Sequence, residues 1–286
     1  MDKPIDMIHM YFKYHPNKPT AYVALAVFAL IDIHLVYRLR SQKAPSFMYK
    51  LIALATIELL GFVLRIVCFS TAINLGKFLV MTLFMVVGPN IVAIVNYNSV
   101  AYMIRLSNFK KDKAHLKPRA LKIISIAYTF IPSVIQGIGG GIQTVIKIHQ
   151  TGVNIAIAGL SIQLCFFLLF YVCLVYVGRN SLIQYTVEGV ENPKKKALIR
   201  IWATVTLLFI RVVYRLVQFS MGPTKYATTH EWTLYVFDVI IVAIVFLIFS
   251  TYNSCFPKQG EEIFGGKDEE KCKKSAEDDN TSKIAE

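Results

Sequence analysis

Seven long, continuous apolar stretches constrain this chain more than any other feature. They run over residues 20–37, 47–69, 78–103, 120–142, 154–177, 199–221 and 232–252. A helix needs about 20 apolar residues to cross the hydrocarbon layer of a bilayer. The runs do not alternate polar with apolar residues, so they do not describe a transmembrane barrel. Of 286 residues, 55% are hydrophobic and 17% charged, whereas soluble domains carry about 25% charged residues. The expected fold class is all-α, a polytopic seven-transmembrane-helix bundle. A soluble enzyme, a disordered chain and a disulfide-rich secreted module are excluded.

Charge gives the expected orientation. The N-terminal segment and the second, fourth and sixth loops hold six Lys and Arg together. The first, third and fifth loops and the tail hold nineteen. Cytoplasmic segments carry the excess of Lys and Arg, so the N-terminus is expected outside and the C-terminus in the cytosol. The net charge of +13 is read as this bias, with no nucleic acid as partner. Three regions follow: an external segment 1–19, a membrane domain 20–256 and a cytosolic tail 257–286. The tail is polar and of mixed charge, too poor in apolar residues to offset the entropy of ordering, and is expected to be disordered. Its Asn280-Thr281-Ser282 sequon would face the cytosol. The first apolar run continues into Tyr37-Arg38-Leu39-Arg40 without a small-residue cleavage site, so it reads as a span and not a signal peptide. The five cysteines suggest no structural disulfide. Cys255, directly after the last run, is a candidate for palmitoylation.

The sequence contains no phosphate-binding G-x-x-x-x-G-K-[ST] loop and no metal-ligand spacing of His, and no Ser, Cys and His pattern suited to nucleophilic catalysis. No enzymatic activity, cofactor or metal is expected. The chemistry lies instead in charges at membrane depth, which are costly there and face a bundle interior or a wet cavity. Helix one carries Asp32, helix two Glu58 and Arg65, helix six Arg211 and Arg215, and helix seven Glu231 and Asp238. Glu58 and Arg65 are seven residues apart, on one face and about 10 Å apart along the axis. Glu231 and Asp238 share that spacing, and Arg211, Arg215 and Gln218 share one face of helix six. Matching depths from the outer end predict Glu58 against Arg211. They also predict Asp238 between Arg65 and Arg215, with Glu231 above.

Uncharged residues complete the candidate site. Gly88-Pro89-Asn90 interrupts helix three, where proline removes a helical hydrogen bond and Asn90 is expected to satisfy the freed carbonyl. Gln136, followed by Gly137, Gly139, Gly140 and Gly141, is expected to end helix four, the glycines permitting close helix approach or local unwinding. Gly159 and Gln163 share a face of helix five. The substrate-binding candidates are thus Glu58, Arg65, Arg211, Arg215, Glu231, Asp238, Gln136 and Gln163. Pro89, Asn90, Gly139, Gly140 and Gly141 are structural or hinge candidates.

Several of these strings, taken in order, resemble the fungal lipid-translocating exporter family, seven-span proteins named for resistance to an aminocholesterol. Helix two reads Glu58-Leu59-Leu60-Gly61-Phe62-Val63-Leu64-Arg65, similar to E-x-x-G-[YF]-x-x-R. Helix four ends Gln136-Gly137-Ile138-Gly139-Gly140-Gly141, similar to Q-x-x-G-G-G. Helix five has Thr151-Gly152 and then Ala158-Gly159-Leu160-Ser161-Ile162-Gln163, similar to T-G…A-G-L-x-x-Q. Helix six has Ile210-Arg211-Val212-Val213-Tyr214-Arg215, similar to I-R-x-x-[FY]-R. Helix seven opens His230-Glu231-Trp232-Thr233-Leu234-Tyr235-Val236-Phe237-Asp238, similar to H-E-[WFY]-x-x-Y-x-F-D. Two acidic positions of the family frame are Thr129 and Gln218 here.

The resemblance implies an integral protein of the plasma membrane or endomembranes, acting in export or translocation of sphingoid long-chain bases, phospholipids or sterol-like amines. Its partners would be membrane lipids or amphipathic small molecules. The competing expectation is a seven-span receptor or stress sensor that binds such a lipid without moving it. Helix three does not end in the D-R-Y of common G-protein-coupled receptors, and helix seven has no N-P-x-x-Y.

Overall fold

The computed structural model describes residues 17–42, 44–70, 75–107, 118–143, 149–180, 183, 185–187, 190–221, 230–251 and 256. Most of the expected external segment, the tail 257–286 with its sequon, and Cys255 and Cys272 lie outside the described residues. The described chain is helical, and seven helices are long and apolar enough to cross a membrane. They are α1 (Lys18–Ser41), α2 (Lys50–Ser70), α3 (Leu75–Leu106), α4 (Pro118–Gln143), α5 (His149–Arg179), α6 (Pro193–Met221) and α7 (Glu231–Thr251). A short 3-10 turn, Ser46–Tyr49, leads into α2.

Several helices run past their apolar cores. Once a helix is set in the bilayer, its polar ends continue in the same backbone hydrogen bonding, with no further apolar residue required. α6 shows this best, starting at Pro193 and not at 199. Proline suits the first helical turn, where its missing N–H has no intrahelical partner to lose. Asn192 before it takes the left-handed backbone conformation, φ 49°, that asparagine tolerates.

Each helix packs on its sequence neighbours, and α7 returns to α1 to close the ring. α3 also reaches inward to α6. Successive helices run up and down. The start of α1 and the start of α7 therefore meet, where the Asn17 amide donates to Glu231 Oε2 at 2.6 Å. This end of the bundle is called the N-terminal end below.

Outward faces are apolar. Leu30, Ile33, Phe130, Leu169 and Val172 are 62–69% exposed, a surface suited to lipid. The interior is built on rings. Phe28 of α1 stacks on Phe62 of α2 at 5.4 Å and meets Phe246 of α7 edge-on at 6.4 Å. Tyr97 of α3, Tyr128 of α4 and Phe167 and Phe170 of α5 form a second aromatic group. Between these groups, towards the N-terminal end, lies the polar interior.

Candidate functional site

The mouth of the site is an ion pair. Arg65, near the end of α2, donates to Glu231 Oε1 at 2.8 Å, and the Tyr235 hydroxyl donates to the same oxygen at 3.3 Å. Glu231 stands in the first turn of α7, where a helix favours negative charge.

One turn and more into the bundle, Asp238 is shared by two arginines of α6. Arg211 Nε donates to Asp238 Oδ1, and Arg215 Nη2 to Asp238 Oδ2. Residues four apart on a helix lie one above the other, so one carboxylate placed between them offers one oxygen to each. Asp238 reaches this position in a π-helical stretch, Tyr235–Ile240, inside α7. The wider turn carries an extra residue and rotates the side chains beyond it relative to an ordinary helix. Arg215 also donates to Gln218 Oε1 at 3.5 Å.

Arg211 has a second partner. Pro89 has no N–H, so the carbonyl four residues earlier, that of Met85, loses its helical donor. Arg211 Nη2 donates to Met85 O at 3.1 Å. The expected role of Asn90 in satisfying this carbonyl is thereby corrected. A carbonyl facing α6 is out of reach of a side chain on the next turn that points towards α4 and α5.

The predicted pairing also needs correction. Glu58 makes no ion pair with Arg211 or with any other described residue. Asp238 lies between Arg211 and Arg215, and Arg65 belongs to Glu231. Glu58 is 4% exposed and packs against α3 at Gly88. A Cβ at Gly88 would lie 2.5 Å from Glu58 Oε1, so the Glu58 carboxyl group rests directly against this glycine. Glu58 Oε1 has no hydrogen-bond partner among the described residues.

On its other side, α3 starts a chain of amides. Asn90 Nδ2 donates to Ser133 Oγ of α4 at 3.0 Å. Asn90 Oδ1 accepts from Gln163 Nε2 of α5 at 2.7 Å. Gln163 Nε2 also faces the Tyr128 hydroxyl at 3.2 Å, and its Oε1 accepts from Gln136 Nε2 of α4 at 2.8 Å. Thr129, where the family frame has an acid, donates to Ser125 O at 3.0 Å. A charged cluster on α2, α6 and α7 and a neutral network on α4 and α5 thus meet at Gly88-Pro89-Asn90.

Gln136 also faces a cleft between α3 and α4. Leu79, Thr82, Leu83, Val86, Gln136, Gly137 and Gly140 line it, and its cavity volume of about 20 Å³ makes it a shallow cleft with room for about one water. The glycines divide by role. A Cβ at Gly139 would lie 2.6 Å from Ala156 N and 2.8 Å from Gly152 O, which marks a backbone-to-backbone contact of α4 with α5. A Cβ at Gly140 would meet nothing within 4 Å, and one at Gly141 only Leu79 at 3.9 Å. α4 continues through this stretch to Gln143, so the expected end or unwinding of the helix does not occur. The bonds of each turn survive because glycine costs only about 1 kcal/mol in a helix and the α5 contact holds the backbone.

Sequence reasoning missed a second buried group towards the other end. Arg200 of α6, 1% exposed, donates to Ser99 Oγ at 3.0 Å and lies over the rings of Phe256 (4.3 Å) and Phe249 (5.0 Å). Thr204 donates to Asn96 Oδ1 at 2.9 Å. Arg200 lies three turns before Arg211 on the same face, and that spacing was the available signal. Pro89 signals an open carbonyl at Met85, but that Arg211 is its donor left no trace in residue types.

The fold and site define a seven-span integral membrane protein with a two-signed charged cluster inside the bundle. The chain belongs to the family described as "RTA1 like protein", which matches residues 51–259. Relatives come from Saccharomyces cerevisiae. Uncharacterized membrane protein YLR046C is 28% identical over 195 residues, 68% of this chain and 71% of the relative. Protein RTA1 is 26% identical over 194 residues, 68% of this chain and 61% of that protein, less than two thirds of its length. The sphingoid long-chain base transporter RSB1 is 24% identical over 268 residues, 81% of this chain and 69% of its own. No solved structure matches.

Proposed function

We propose that this protein translocates or exports an amphipathic lipid across a membrane, with no ATP site of its own. One observation carries the reading. A shallow, mostly apolar cleft between α3 and α4 has Gln136 in its lining. The amide chain from Gln136 through Gln163 to Asn90 leads from there to α3 beside Gly88, against which the buried Glu58 packs. Leu79, Leu83 and Val86 offer a surface for a hydrocarbon chain, and the cluster offers charges of both signs for a head group. The naming of RSB1 as a sphingoid long-chain base transporter supports a long-chain base as the first lipid to try. Phospholipids and sterol-like amines are the further candidates. The reading includes no catalytic step.

The charge bias supports an N-terminal bundle end facing outside, the plasma membrane as first location, and release on that side. The candidate residues are then Glu58, Arg65, Arg211, Arg215, Glu231 and Asp238 at the head group, with Gln136 and Gln163 along the approach.

The test is flux of labelled long-chain base and labelled phospholipid in vesicles of the purified full chain. Transfer between leaflets faster than in empty vesicles is expected for at least one of them. Saturable binding without faster transfer would overturn translocation and favour the receptor reading.

A further inference from the structure

The cluster contains three arginines and three acids, and their pairing is uneven. Arg65 is paired with Glu231, and both Arg211 and Arg215 with Asp238. Glu58 remains, buried, with no ion pair and with its Oε1 lacking a hydrogen-bond partner among the described residues. We propose that Glu58 is the proton-exchange group of this site, where a proton and the ammonium group of a long-chain amine compete for one carboxylate. This rests on the reading of the cluster as the ligand's head-group site.

Charge accounting carries the argument. The surplus cation of the cluster is already held by Asp238 and the Met85 carbonyl and does not reach Glu58 as an ion pair; a buried carboxylate without such a partner is costly, which a fold avoids by keeping the group protonated. The pair of Arg65 with Glu231 is neutral, and Asp238 against two arginines leaves one positive charge. The cluster with protonated Glu58 therefore carries +1. When an ammonium group binds, the proton leaves Glu58 for water and an ammonium N–H donates to the carboxylate. The cluster again carries +1. Binding the amine while keeping the proton would place +2 in a site of low dielectric. Exchange is the route that leaves the buried charge unchanged.

The surroundings fit a carboxyl group that exchanges its partner. α6 carries Arg211 and Arg215 and α7 carries Asp238, which hold one another and make no ion pair with Glu58. On its own helix, Arg65 lies two turns away and is held by Glu231. α1 brings Asp32 to α2, where the Thr56 hydroxyl donates to it at 3.0 Å. α3 supplies the space at Gly88. One proton exchanged for one amine would let a proton gradient directed inward drive the amine outward.

The test uses the purified full chain in detergent, a sphingoid base as the amine, weak buffer and a pH-sensitive dye. About one proton should be released per amine bound, and apparent affinity should rise about tenfold per unit of pH while the amine stays protonated. Glu58→Gln, shown to be folded by its thermal transition, should bind more weakly, release no proton and lose the pH slope. Glu58→Asp should restore release. An N-acetylated base, which has no ammonium, should release none. Wild-type binding without proton release, equal release from Glu58→Gln, or no amine binding would each overturn the proposal. Vesicle flux separates it from the translocation reading. Proton release without flux retains the exchange and removes translocation, whereas flux indifferent to an imposed pH gradient retains translocation and removes the exchange.

Discussion

Pro89 of α3 and Arg211 of α6 are complementary although they do not touch. The proline withholds an N–H from the Met85 carbonyl, and the arginine supplies one at 3.1 Å. The same guanidinium holds Asp238 through Nε. A break in the backbone bonding of one helix is thus used to join three helices, and it places a cation where a helix would otherwise show only aliphatic side chains.

This coupling predicts a non-additive pair. Arg211→Gln in the natural background leaves both Asp238 and the Met85 carbonyl short of a donor. In Pro89→Ala the alanine amide can take the carbonyl. The cost of Arg211→Gln should therefore fall by about 1–3 kcal/mol in that background, the cost of one buried unsatisfied group. Thermal unfolding of the four proteins measures the coupling, and additive values would contradict it.

The glycines of α4 should respond in opposite ways. At Gly139 an added methyl meets the backbone of Gly152 and Ala156, which cannot yield as a side chain can. Gly139→Ala should cost about 1–3 kcal/mol. At Gly140 a methyl meets nothing, and Gly140→Ala should gain about 0.5–1 kcal/mol. Gly140→Leu should fill the cleft and slow flux severalfold without lowering the thermal midpoint. Undiminished flux would place the lipid path elsewhere.

Orientation has its own check. With nineteen Lys and Arg assigned to one side and six to the other, a tag after Glu286 should be cut by protease only after permeabilisation. Cleavage in intact cells would reverse the direction of export argued above.

The seven spans were legible because the length of an apolar run measures bilayer thickness directly. Helical spacing also placed Arg211, Arg215 and Asp238 correctly on interior faces. The partners were less legible. Glu58 and Arg211 match in depth, but depth along an axis does not say which way two helices face each other. The π-helical stretch of α7 further turns Asp238 towards Arg211 by an amount that residue types do not encode. The Met85 carbonyl could be anticipated as an open acceptor from Pro89, but not its donor. Arg200 is the second residue of the run 199–221, and a cation at the edge of a span is expected to reach the interface with its long side chain. In the fold it is 1% exposed.

Asp238 gives the decisive test of the cluster as a whole. Asp238→Asn keeps the size of the side chain, but one end becomes an NH₂ donor facing an arginine that is itself a donor. The two arginines then lose their shared counter-charge in a buried site. Breaking one side of a buried pair costs about 3–5 kcal/mol, so the amount of folded protein should fall. Adding Arg215→Gln should recover part of that loss, since one surplus cation is removed while Arg211 keeps the Met85 carbonyl. A purely structural cluster requires flux to follow abundance through Asp238→Asn, Arg65→Gln and Arg215→Gln. A head-group site requires flux per folded molecule to fall in each, and further than abundance does. Measuring both quantities on the three variants separates these cases. Normal flux per folded molecule in all three would remove the cluster from the path of the lipid and leave it the task of holding α2, α6 and α7 together.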